Sequence, residues 1–271
     1  MAKMAAATGL KMPFTQIHGI RYFLFEIFPR ALTQAIFTRR GGVSPAPWDS
    51  LNVGGTVGDD EARVRENRTR SFAAVGRSLE SAFDVWQVHS ADAVLAIAPR
   101  LPGEPHQKAD IMFTDRPGVT LYMRFADCVP VILYDPRKAV VGIAHAGWLG
   151  TVRGTSRAAV QTMIQTYGSD PADILAGIGP SIGPDHYDVG PEVVAQIQQT
   201  FGGEDVRLID SRAGRTYLDL WAANKIQLAR AGVEHVEVAG LCTACHLDDW
   251  YSHRAEKGKT GRFGALIALP S

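Results

Sequence analysis

Cysteine is scarce in this chain of 271 residues: only Cys128, Cys242 and Cys245 occur. Three thiols, two of them three residues apart, cannot build a disulfide framework, which leaves metal binding or thiolate chemistry as their uses. Net charge is also lacking, with 28 basic against 28 acidic side chains. A balanced surface argues against a broad polyanion-binding face, so no nucleic-acid partner is expected, although a local arginine pocket is still allowed. No uninterrupted apolar run reaches the roughly 18 residues of a membrane span, and the N-terminal MAKMAAATGLKMPFTQ has no long apolar core of a secretory signal. No membrane association, a cytoplasmic location and a monomer are therefore the expectations. Repeats and low-complexity tracts are missing as well, which excludes solenoids and linker-rich architectures.

What is present is a core-forming chain, 46% apolar. The segment 1–20 reads as a flexible arm and 21–271 as one catalytic domain. Residues 38–60 are rich in glycine and proline, and a loop this long inside a domain is often functional. Asp59 and Asp60 sit at an N-cap position ahead of a helix through EARVRENRTRSFAAVGRSL. Apolar or alternating runs at 119–125, 129–135 and 139–146 predict strands. One helix is expected from Gly150 to Gly168, two more over PEVVAQIQQTF and DLWAANKIQLARAG, and further strands over DILAGIG, VEHVEVAGL and GRFGALIAL. Interspersed strands and helices without a linker point to a single α+β domain with mixed sheets flanked by helices.

Three phrases carry chemistry: WQVHS with His89, ADCVP with Asp127 and Cys128, and HAGW with His145. Each lies at the end of a predicted strand, where a sheet aims side chains rigidly. Two imidazoles and a thiolate match a catalytic zinc site with an open fourth position, but type-1 copper uses the same donors. Gly147 lets backbone approach a ligand closely. Arg39 and Asn52, from the glycine-rich loop, are candidates for phosphate or ribose contacts, and Asp127 for orienting a ligand or accepting a proton. GIGPSIG imitates a dinucleotide loop, but Pro180 and Pro184 block the helix such a loop needs, so a rigid turn near the site is the better reading. Cys242-Thr-Ala-Cys245-His246 spells a haem-attachment pattern and also a redox pair or zinc half-site, with no second half evident along the chain. The arginines of SHRAEKGKTGRFG read as an anion-binding edge or, the more ordinary reading, as part of a solvated loop.

In their order, FTRRGGVS, SLNVG, QVHS, ADCVP, HAGW, GIGPSIG, YDVG and WYSHR resemble the YfiH family, also called the multicopper polyphenol oxidase or laccase-domain family. The resemblance runs from about Phe37 to the C-terminus. It implies a YfiH-like α/β sandwich with Zn2+, less readily copper, held by His89, Cys128 and His145. It also implies a purine nucleoside phosphorylase acting on adenosine, inosine, guanosine and 5′-methylthioadenosine, with adenosine deaminase activity. Nucleosides and phosphate would be its small-molecule partners. The chain departs from the family pattern at Leu149, where arginine is usual after HAGW, and at Arg40, where histidine is common. Arg153, on the following helix, is the candidate replacement for a phosphate contact. Two other readings are a copper-dependent polyphenol oxidase and a Cys-His hydrolase of peptidoglycan precursors. None of the eight histidines forms the H-x-H pair that multicopper oxidases use.

Overall fold

The computed structural model of the chain describes residues 14–270. Its first part supplies β1 (Phe14–Ile17), β2 (Ile20–Phe23), β3 (Thr33–Phe37), α1 (Glu61–Ala74), β4 (Ala82–Phe83) and β5 (Ala93–Leu95). The middle supplies β6 (Ile111–Thr114), β7 (Thr120–Phe125), β8 (Val129–Asp135), β9 (Val140–Ala146), α2 (Trp148–Arg153) and α3 (Thr155–Tyr167). The last part runs through β10 (Leu175–Ile178), β11 (Asp188–Val189), α4 (Pro191–Phe201), β12 (Ile209–Arg212) and β13 (Arg215–Leu218). It ends with α5 (Leu220–Arg230), β14 (His235–Val238) and β15 (Phe263–Ala268).

Two six-stranded sheets form the centre, in the orders β1-β2-β3-β15-β7-β4 and β14-β10-β8-β9-β6-β5, and β11-β13-β12 make a small third sheet. Period-two alternation explains the layering. In β8, Val129, Val131 and Leu133 face Ala159, Val160 and Met163 of α3, whereas Ile132 faces the other sheet. Leu121, Met123 and Phe125 of β7 meet Ile132, Val141 and Ile143 between the sheets. The far side of the first sheet packs Tyr22, Phe37 and Tyr122 against Phe72 of α1. The order is helix, sheet, sheet, helices. Because β8 and β9 are covered on both faces they are apolar over most of their length, Asp135 and His145 excepted, which is why they stand out in the sequence.

Two expectations need correction. Of the arm expected over 1–20, residues 1–13 lie outside the described residues, while 14–20 form β1 and its turn into β2. Phe14 packs edge-on against Phe23, and Arg21 stacks over its ring. The helix expected from Gly150 is two helices that begin earlier, at Trp148. Gly154, at φ 82°, ends α2 in a left-handed turn before α3, and Gly168, at φ 64°, closes α3 as expected.

Candidate metal centre

The strand ends converge. Cys128 immediately precedes β8 and His145 is the penultimate residue of β9; the β8–β9 register places Val129 opposite Ala146. His89 comes from the loop between β4 and β5 and holds a left-handed backbone, φ 57°. Its Nε2 lies 3.9 Å from the Cys128 sulfur, and the rings of His89 and His145 are 5.0 Å apart. The three donor atoms lie within 4.8 Å of one another, which makes this a possible metal site.

Asp110 organises the cluster. This fully buried carboxylate accepts from His145 Nδ1 at 2.7 Å and from the backbone N–H groups of Val88 and Ser90 at 3.0 and 2.7 Å. One side chain thus fixes the ring of one candidate ligand and the loop that carries another. With Nδ1 bonded to the carboxylate, Nε2 of His145 is left for a metal. Burial opposes ionisation of Asp110, but the His145 ring and the two amides hold its carboxyl below the ordinary range. Burial likewise opposes the Cys128 thiolate, yet the adjacent imidazoles bring that thiol down to about 6. His145 is pushed up to about 9 against its burial by Cys128 and Asp110. A thiolate and two imidazoles within this spacing suit zinc. Gly147 is required by the same crowding: a Cβ there would sit 2.7 Å from the Cys128 sulfur and 3.1 Å from the His89 ring.

The cluster opens into a cavity of about 560 Å³ whose walls include Trp86, Arg68, Arg124, Arg262, His106 and His253. Arg124 is committed to Asp84 at 2.6 Å, together with Arg100 and His106. Arg68 donates to the carbonyl of Val53, and Arg262 to that of Gly261. Neither has a carboxylate partner among the described residues. Burial lowers the pKa of both guanidinium groups, an effect only partly offset by more distant anions, Asp84 for Arg68 and Cys128, Asp127 and Glu256 for Arg262. A larger groove of about 810 Å³ lies along residues 14–34, but its only charged side chains are Glu26 and Arg30.

The other sequence-derived candidates fall outside the cavity lining. Arg39 is buried and used by the loops: it donates to the carbonyls of Asp49 and Leu247 and to Glu256, and stacks 4.4 Å over Tyr251. Asn52, fully buried, accepts from the backbone N–H groups of Gly54 and Arg262 and donates to Asp59. It shapes the wall without facing the cavity. Asp127, at φ 81°, accepts from Thr243 Oγ1 and from the backbone N–H of Arg254, so it braces the Cys128 turn from behind. Arg153 donates to the carbonyl of His89 at 2.7 Å and ties α2 to that loop. GIGPSIG does form a turn beside the site, with Ile182 N–H donating to the carbonyl of Asp127. The sequence does not single out Asp110, Arg68, Arg124 or His106, and Arg262 comes from the stretch open to either an anion-binding edge or a solvated loop. The one available signal for Asp110 was its place just before the apolar run 111–114.

Comparison with known proteins follows the same lines. The family model described as multi-copper polyphenol oxidoreductase laccase matches residues 33–270. The chain belongs to this laccase-like family. A purine nucleoside phosphorylase of Deinococcus radiodurans is 40% identical over 240 residues, 89% of this chain and 90% of that protein. The purine nucleoside phosphorylase YfiH of Escherichia coli is 35% identical, over 89% of this chain and 95% of its own. Among solved structures, YlmD from Geobacillus stearothermophilus superposes with a TM-score of 0.89 at 34% identity, covering 96% of this chain and 99% of that one. The α+β fold expected of a YfiH-family member is the fold observed. No described helix is long and apolar enough to cross a membrane.

Proposed function

We propose that this YfiH-family chain is a zinc-dependent purine nucleoside phosphorylase with adenosine deaminase activity. One observation carries the reading: His89, Cys128 and His145 open into the same cavity as two arginines that lack carboxylate partners. Guanidinium groups without counter-ions suit a phosphate, which they bind through charge-assisted hydrogen bonds. Trp86, half exposed at the wall, offers an aromatic face on which a purine stacks. The names of the relatives agree with this substrate class.

In phosphorolysis a phosphate oxygen bonds to ribose C1′ while the C1′–N9 bond breaks and the base leaves with its electron pair. Arg68 and Arg262 would hold the phosphate charge, and Asp110 keeps the His145 ring from rotating. His89, Cys128 and His145 would hold zinc, which would supply Lewis-acid activation of the water that attacks purine C6 in deamination and would help orient a phosphate oxygen in phosphorolysis. Arg153 acts as a positioning residue for the His89 loop, and Asp127 for the Cys128 turn.

Incubation with adenosine, with and without phosphate, tests the reading. Adenine and ribose 1-phosphate are expected only with phosphate, and inosine in both cases. Absence of all three products from metal-loaded protein would reject it. Metal analysis is expected to return zinc, and copper together with phenol oxidation would favour the oxidase reading.

A further inference from the structure

The Cys242–Cys245 pair finds in space the partner it lacks along the chain. Nδ1 of His186 lies 3.4 Å from the Cys245 sulfur and 3.8 Å from the Cys242 sulfur, and all three donors fall within 4.8 Å of one another. His186 is remote in sequence and arrives on the turn that follows GIGPSIG. That turn is joined to the cysteine loop by a bridge between Ser181 and Cys242 and by the Gly183 N–H donating to the Cys242 sulfur at 3.2 Å. We propose that His186, Cys242 and Cys245 form a second zinc site, separate from the cavity and open to solvent at its fourth position.

The geometry favours a cation over hydrogen bonding alone. One ring nitrogen carries a single proton or a single lone pair and cannot satisfy two thiols at once. Zinc bonds of about 2.3 Å to sulfur and 2.0–2.1 Å to nitrogen, at tetrahedral angles, put sulfur and nitrogen about 3.6 Å apart. The two observed separations straddle that value. Two thiolates and an imidazole also select a soft, borderline cation such as zinc over the oxygen-seeking calcium and magnesium. Cys242 is buried whereas Cys245 and His186 are exposed, so the metal can enter from solvent.

Such a site would staple two loops that both brace Asp127. Ile182, on the His186 side, donates its N–H to the Asp127 carbonyl, and Thr243, between the cysteines, donates its hydroxyl to the Asp127 carboxylate. Through those two contacts the second zinc holds the turn that carries Cys128 from outside the pocket, with solvent completing its coordination.

Zinc stoichiometry tests this on the full chain, reduced, stripped with chelator and reloaded. About two equivalents are expected for wild type and about one for Cys245→Ser and for His186→Ala. Both substituted side chains are exposed, so the fold is not at risk. Cys128→Ala should also hold about one equivalent, and Cys128→Ala/Cys245→Ser none. Loading with cobalt gives a second readout: the thiolate-to-cobalt charge-transfer band should lose more intensity in Cys245→Ser than a single-site protein permits. A single equivalent in reloaded wild type that Cys245→Ser retains, or His186→Ala retaining two, overturns the proposal, whereas a single equivalent that Cys245→Ser loses and Cys128→Ala keeps would overturn the zinc assignment at His89, Cys128 and His145 instead. So does a thiol count showing Cys242 and Cys245 locked in a disulfide that resists reduction in the folded protein. None of these readouts depends on nucleoside turnover.

Discussion

Asp110 is the residue on which most of the site depends. It neutralises and aims His145 and also ties down the amides beside His89. Asp110→Asn keeps the size but removes the charge, and an asparagine amide can turn a donor toward Nδ1. Zinc affinity at the catalytic site should fall about 10–100-fold, as read by competition with a chromophoric chelator. Arg262 invites a different measurement. Arg262→Met removes a cation but leaves the metal donors in place. The kcat/KM for phosphate should drop by about 10–100-fold, the equivalent of one charge-assisted hydrogen bond of about 1.5–3 kcal/mol. Adenosine deamination should change far less. An equal loss in both reactions would show that Arg262 shapes the pocket without holding phosphate.

Among the elements, α2 starts where the metal donors are most crowded. Gly147→Ala would push a methyl group against the Cys128 sulfur and the His89 ring. Loss of catalytic-site zinc with little change in far-ultraviolet circular dichroism is the expected outcome. How legible each element was in the sequence follows from its packing. β8 and β9 are buried on both faces, so their apolar runs are unmistakable, and Asp60 caps α1 through the amides of Ala62 and Arg63 in the expected way. β4, β5 and β6 have two to four residues each, too few to show a period, so the strand that carries Asp110 into place went unseen. Arg39 and Asn52 were drawn toward the site by their types and loop position. In fact both satisfy carbonyls and amides of that loop and of the segment 247–262 packed against it, as buried loop backbone demands. Cys128 and His145, two of the three candidate metal donors, were legible because they respectively precede and end strong strands and because their motifs match a family; His89, expected at a strand end, lies instead in the loop between β4 and β5 and was legible through its motif alone. His186 was not, because only the folded turn brings it to the cysteines.

At the scale of the molecule, charge is balanced overall but gathered locally around Asp84, which meets Arg100, Arg124 and His106. Burial pushes this carboxyl up, but the guanidinium of Arg124 and its neighbours outweigh that and hold it at about 2. Since the folded pKa lies below the unfolded one, the stabilisation is complete above about pH 4 and is lost as pH falls toward 2. The shift corresponds to about 2 kcal/mol. Wild type should therefore lose stability more steeply than Asp84→Asn between pH 4 and 2, as followed by urea unfolding. Parallel curves would show that the cluster contributes nothing.

The pairing of β6 with β9 has a kinetic consequence. Asp110 abuts β6, His145 lies in β9, and the two strands are registered with Ile111 opposite Ala144. The donors at 89, 128 and 145 thus meet only after contacts far apart in the chain have closed, a slow kind of event in folding. Refolding in the presence of cobalt should therefore show the catalytic-site colour appearing with the last cooperative phase, never in an early collapsed state.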